Sequence, residues 1–186
     1  TDTLTNVEIV ETVAGGARFL LVGNGGFATI EAAMAVAGAG DTILLAPGTH
    51  TLGAELNIGI SVSIVGSGEG TTIVETADAA YGIHVTANDV TISDLTLDAT
   101  ETDTYGIKVN PASPATNLTG FTLEDVTVKG AGRSEIDLNG VDDSALTRVT
   151  ADGMGTAGVG IALSDSTGID LTDITTTGNN WGSIGL

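Results

Sequence analysis

One short strand-like motif returns along this chain at nearly constant intervals, and that repetition limits the folds open to it. The motif reads "GIHV" from Gly82, "GIKV" from Gly106, "EIDL" from Glu135, "GIAL" from Gly160 and "SIGL" from Ser183. From Ile83 the steps are 24 residues to Ile107, 29 to Ile136, 25 to Ile161 and 23 to Ile184. Longer segments alternate with it: "VTISDLTLD" from Val90, "FTLEDVTVK" from Phe121, "SALTRVTAD" from Ser144 and "IDLTDITTT" from Ile169. Intervals of this size mark a solenoid. A leucine-rich repeat fits badly, because no asparagine ladder accompanies a single LxxLxL strand. Two or three short strands per turn fit better, each alternating apolar inward with polar outward.

A single turn buries almost nothing, so each must cover its neighbour. Stacked at about 4.8 Å, Ile83, Ile107, Ile136, Ile161 and Ile184 form one interior column. Leu95, Val126, Val149 and Ile174 form a second, with Ile92, Leu123, Leu146 and Leu171 beside it. The expected fold class is therefore all-β, a parallel β-helix. Abundant glycine (27 of 186 residues) and only 3% aromatics agree with small residues at tight turns. "GGFATIEAAMAVAGAGD" is the exception: Phe27, Ile30, Ala33, Met34 and Ala37 recur at helical spacing. A short helix is predicted over about residues 28 to 37, with Gly38 as its C-cap.

Charge and composition exclude several roles. With 24 acidic and 5 basic residues the formal charge is 5 − 24 = −19. Such a surface repels nucleic acid and anionic membranes, so neither is an expected partner. The absence of cysteine excludes disulfides and thiolate metal sites. No apolar run approaches the roughly 20 residues that cross a bilayer as a helix.

"FATIEAAMAVAGAGDTILLAPGTH", followed by "ISVSIVGSGEGTTIV" and "NDVTISDLTL", resembles the opening of right-handed parallel β-helix proteins of the pectate-lyase-like superfamily. The likeness covers roughly residues 22 to 186. It implies a right-handed solenoid whose short N-terminal helix caps the first coil. For activity it is broad, since that superfamily holds lyases, hydrolases, esterases, epimerases, binding proteins and adhesin modules. Neither the paired-Asp and Gln-Asp patterns of pectin methylesterases nor the Asp-Pro-His motif of mannuronan C5-epimerases is present. "TDTLTNVEIV", at residues 1 to 10, resembles the segment that trails calcium-binding nonapeptide arrays in proteins exported by type I secretion. That likeness implies a module of a larger secreted bacterial protein. The organisation expected is a lead-in over residues 1–21 and a parallel β-helix over 22–186, truncated at its C-terminal end. Leu186 falls in an inward-facing strand with no cap after it, so a fragment, or self-association through that open end, is expected.

The resemblance directs attention to one parallel face, where polysaccharide-active β-helices carry their sites. Outward positions between the inward residues of each motif are His84, Lys108, Asp137, Ala162 and Gly185. Base, cation and acid thus fall on successive coils about 5 Å apart. Tyr81 and Tyr105 lie two residues before the inward isoleucines and offer rings for sugars, while Arg133 sits just before "SEIDL". On this reading Lys108 or Arg133 neutralises a uronate carboxylate, His84 or Tyr105 takes the α-proton, and Asp137 orients one of them. The expected activity is binding or processing of an acidic polysaccharide, by uronate lyase or C5-epimerase chemistry if catalytic. The competing expectation is a silent spacer or adhesion module in which Lys108 and Asp137 form only a surface ion pair.

Arg148 replaces the aspartate found at Asp94, Asp125 and Asp173, and relief of carboxylate repulsion is its expected role. Calcium is the one metal for which the sequence offers a ligand set, Asp98, Glu101 and Asp103 in "DATETD". Trp181 reads either as a sugar platform or as a plug for a core corner.

Overall fold

The computed structural model describes residues 8–11, 16–100, 104–113, 116–155 and 158–186. It is a right-handed parallel β-solenoid of about seven turns. Strands fall into a 12-stranded sheet and a six-stranded sheet on another side of each coil. The six strands of the second sheet are Leu56–Ile58, Tyr81–Val85, Tyr105–Val109, Ser134–Asn139, Val159–Ser164 and Gly182–Gly185. Every neighbouring pair among them is parallel.

Register follows the repeat. Ile83 pairs with Ile107, Ile107 with Ile136, Ile136 with Ile161, and Ile161 with Ile184. In the larger sheet Leu95, Val126 and Val149 align, as do Ile92, Leu123, Leu146 and Leu171. Apart from members in the last coil, these columns form one continuous dry core. In that last coil Ile184 is 44% exposed and Trp181 71% exposed, so the tryptophan plugs no part of the core. The column also extends one coil earlier than the isoleucine motif indicates, because Leu56 and Ile58 pair with Ile83 and Val85.

The parallel ladder begins at Arg18–Val22, which lies against Asp41–Leu45. The helix spans only Ile30–Met34, shorter than its apolar spacing predicts. Thr29 caps it by accepting from the Ala32 N–H at 3.1 Å. Gly38 does not act as the C-cap; its N–H donates instead to Asp41 Oδ2 at 2.7 Å. Asp41 also accepts from the Arg18 guanidinium and backbone, and these donors hold its carboxyl at about 2. The first coil is thus closed by a buried carboxylate that collects the loose donors at its edge.

Where each coil bends, Asp94, Asp125, Arg148 and Asp173 all have φ between 52° and 58°. This is the left-handed region, which aspartate tolerates better than most residues because its short side chain bonds locally. Arg148 is the unusual occupant. It grips Asp125 through Nε to Oδ1 at 2.6 Å and Nη2 to Oδ2 at 2.8 Å, and it also pairs with Glu124. That fork matches the charge-relieving role expected from the sequence.

Glu135 departs from its own column. The matching position is glycine in three neighbouring coils, Gly82, Gly106 and Gly160, whereas Glu135 is fully buried. One oxygen accepts from the Ala131 N–H at 3.2 Å; Oε1 has no partner among the described residues. Burial pushes its carboxyl from an ordinary value of 4.5 up to about 8. The folded state therefore keeps a proton that the unfolded chain has lost between these values, so stability falls as pH rises through that window. Glu135→Gln keeps the acceptor and cannot ionise. Thermal unfolding should show it more stable than the parent at pH 8 to 9, with little difference near pH 4, where both states of the parent are protonated. A parent whose midpoint is flat across this range would contradict the assignment.

Candidate functional site

The second sheet brings the sequence-selected residues onto one outward face. His84, Lys108 and Asp137 align on successive strands, preceded by Asn57 and followed by Ala162 and Gly185. Tyr81 and Tyr105 are also in register, with ring centroids 5.5 Å apart. The Tyr81 ring lies 4.7 Å from the His84 imidazole. Lys108 Nζ sits 5.2 Å from the Tyr105 ring centroid and Arg133 Cζ 5.6 Å from it, so two cations share one aromatic surface.

Lys108 and Asp137 form a direct ion pair across adjacent strands. The pair is shielded: the two residues are 8% and 9% exposed, unlike the open surface pair that an alternating strand suggests. Its Coulomb attraction acts away from bulk water, and either partner alone would be a costly buried charge.

His84 is held from both sides. Nδ1 lies 3.3 Å from Glu55 Oε1, and Nε2 lies 3.0 Å from Asn110 Oδ1. A proton-accepting role at Nε2 therefore requires the asparagine contact to open. Tyr105 is pushed above the ordinary phenol value by burial and by the nearby Asp137 carboxylate. Its hydroxyl is thus a donor at neutral pH, better suited to giving a proton than to taking one.

Beyond Lys108 the face dips into a depression of about 320 Å³ lined by Asn110, Asn117, Asn139 and Asp165. Glu55 and this amide-rich depression are the parts that the sequence did not reveal. Glu55 belongs to the coil carrying "LNI", which lacks the glycine of the later motifs; its apolar–polar–apolar alternation was the available signal.

Four of the five basic residues are in ion pairs with carboxylates. Arg18 pairs with Asp41, Lys108 with Asp137, Lys129 with Asp98, and Arg148 with Asp125 and Glu124. Arg133 is exposed and, among the described residues, in no ion pair. Of the suggested calcium ligands, Glu101 and Asp103 lie outside the described residues, and Asp98 is engaged by Lys129 at 2.8 Å. Among the described residues no three His, Asp or Glu side chains gather as a metal site. No helix among them is long and apolar enough to cross a membrane.

A scan against protein-family models finds no match, and a search of curated proteins also finds none. Solved structures do match. Pectate lyase Pel9A aligns with TM-score 0.61 and 15% identity over 78% of this chain and 41% of that one. The PL6 family alginate lyase AlyGC, in mutant form, aligns with TM-score 0.57 and 10% identity over 94% of this chain and 41% of that one. The chain thus spans about two fifths of the length of these structures. At such identities the likeness establishes the architecture they share: the chain has the parallel β-helix fold of these two lyases.

Proposed function

We propose that the face around Tyr105 binds a uronate-bearing polysaccharide and can support proton abstraction α to its carboxyl group. The observation that carries this reading is the convergence of Lys108 and Arg133 on the Tyr105 ring, beside Tyr81 and His84. Aromatic rings accept the apolar faces of sugars, and a cation beside the rings accepts a carboxylate. Arg133, in no ion pair among the described residues, is the group placed to take that carboxylate.

The chemistry follows from charge. Removing a proton from the carbon next to a carboxylate places an electron pair on the carboxyl group, and Arg133 would stabilise it. His84, released from Asn110 and with its ring proton on Nδ1 facing Glu55, accepts the proton at Nε2. The retained proton of Tyr105 suits it to protonate the departing glycosidic oxygen in a lyase, or to return a proton to the opposite face in an epimerase. Asp137 holds Lys108 in place. The two lyase neighbours support a polysaccharide partner, and the likeness of residues 1 to 10 to exported proteins supports an extracellular bacterial setting.

Incubation with alginate, polygalacturonate and related polymers should yield ultraviolet-absorbing unsaturated ends or a changed uronate ratio. Binding without either product would reduce the reading to recognition alone. One observation favours the second reading, a silent spacer or adhesion module: Lys108 and Asp137 satisfy one another within the strand face. Absence of both binding and turnover on every polymer would leave that reading standing.

A further inference from the structure

The distribution of cations, more than their presence, bears on which polymer this face can accept. Along one corner of the coils, successive register positions carry Ala80, Thr104, Arg133, Gly158 and Trp181, each preceding the aligned residues Tyr81, Tyr105, Ser134, Val159 and Gly182. The Trp181 ring lies close against the glycine step: a Cβ built on Gly158 would fall 2.5 Å from the ring and 2.7 Å from the Arg133 carbonyl. The Trp181 backbone N–H donates to the Gly158 carbonyl at 2.6 Å, fixing the point from which the side chain leaves the main chain. A strip thus runs parallel to the solenoid axis, with Tyr81 and Tyr105 at one end, Arg133 in the middle and the 71% exposed Trp181 beyond.

Among the described residues, that strip holds a single positive charge outside any ion pair. Lys108 is already neutralised by Asp137. On the Tyr81 side a further carboxylate, Glu55, stands against His84. The chain as a whole carries a formal charge of −19. A polymer with a carboxylate on every sugar would bring one group to Arg133 and set its neighbours against Glu55 and the acidic surface at large, and like charges brought together in this way oppose binding.

Resting on the polysaccharide reading above, we infer that the preferred ligand is a polysaccharide whose uronates are isolated among neutral sugars. One uronate carboxylate meets Arg133, while neutral rings lie on Tyr81 and Tyr105 to one side and on Trp181 to the other. Trp181 is then a binding residue for the sugar next to the uronate.

A carboxyl-reduced series tests this without changing the polymer backbone. Polygalacturonate and alginate are each prepared native, about half-reduced and fully reduced, and binding to the intact chain is measured calorimetrically. At low salt the half-reduced form of the recognised polymer should bind at least about tenfold more tightly than the native form, a difference of about 1.4 kcal/mol. The fully reduced form should lose most affinity. In 1 M salt, where screening acts within about 3 Å, native and half-reduced forms should converge. Arg133→Gln should remove the advantage of the half-reduced form over the fully reduced one. Trp181→Ala should weaken the half-reduced ligand several-fold and Trp181→Phe should restore it. Glu55→Gln, which removes the carboxylate beside His84, should improve binding of the native polymer. Tightest binding by the native polymer would overturn the inference while leaving uronate recognition intact. Failure of all six preparations to bind would instead remove the reading on which it rests.

Discussion

Lys108→Met should abolish turnover of a uronate polymer and also destabilise the fold, and the two losses can be separated. The single change leaves the Asp137 carboxylate facing a shielded position without its cation. Breaking a buried pair from one side costs about 3–5 kcal/mol. Lys108→Met with Asp137→Leu removes both charges and fills the space with apolar groups, which should restore most of that stability. It should not restore chemistry. If Lys108 holds the electrostatic environment of the Tyr105 edge, the double variant remains slower by about 10²–10⁴, the usual range for a lost proton-transfer or charge-stabilising group. Unfolding midpoint and turnover, measured on the same three proteins, therefore diverge. A double variant that is both stable and fully active would show the pair to be scaffold.

The second large effect lies in the core. Ile107 is fully buried and paired on both sides, with Ile83 and Ile136. Ile107→Ala should lower stability by about 2–5 kcal/mol, because transfer and cavity terms add where rigid neighbours cannot collapse. Against a typical total of about 5–15 kcal/mol, that is a large share. Ile184→Ala, in the same column but 44% exposed, should cost far less. Denaturant titration comparing the two variants checks the order. Similar losses at both sites would mean that the column does not share one interior. Because coils touch mainly their neighbours, the central variant should also broaden the transition as the two halves separate in stability.

Much of this architecture was legible in the sequence because a solenoid writes its long-range pairing as a local period. Ile83, Ile107 and Ile136 could be aligned without knowing the fold, and the same alignment put His84, Lys108 and Asp137 side by side. The apolar spacing overextends the helix because Ala35, Val36 and Ala37 continue it, while Gly38 and Arg18 are drawn to Asp41, closing the coil edge instead. Glu55 and the asparagine-lined depression stayed hidden for another reason. They come from a coil without the glycine signature and from connections between strands, where no period constrains position. Glu135 was visible as an exception among Gly82, Gly106 and Gly160. Its burial was not, since sequence alternation assigns a side to a residue only while the strand stays regular.

The corner at Asp94, Asp125, Arg148 and Asp173 and the matched ladders above and below it make each coil interchangeable as a unit of growth. A lineage could gain or lose one whole turn, such as the 25 residues from Ile136 to Ile161, and still present aliphatic side chains to aliphatic side chains. Loss of that turn would set Lys108 against Ala162 in place of Asp137. Length and chemistry are consequently inherited on separate terms in this scaffold: duplication extends the rod freely, whereas the reactive face survives only where three particular turns stay consecutive.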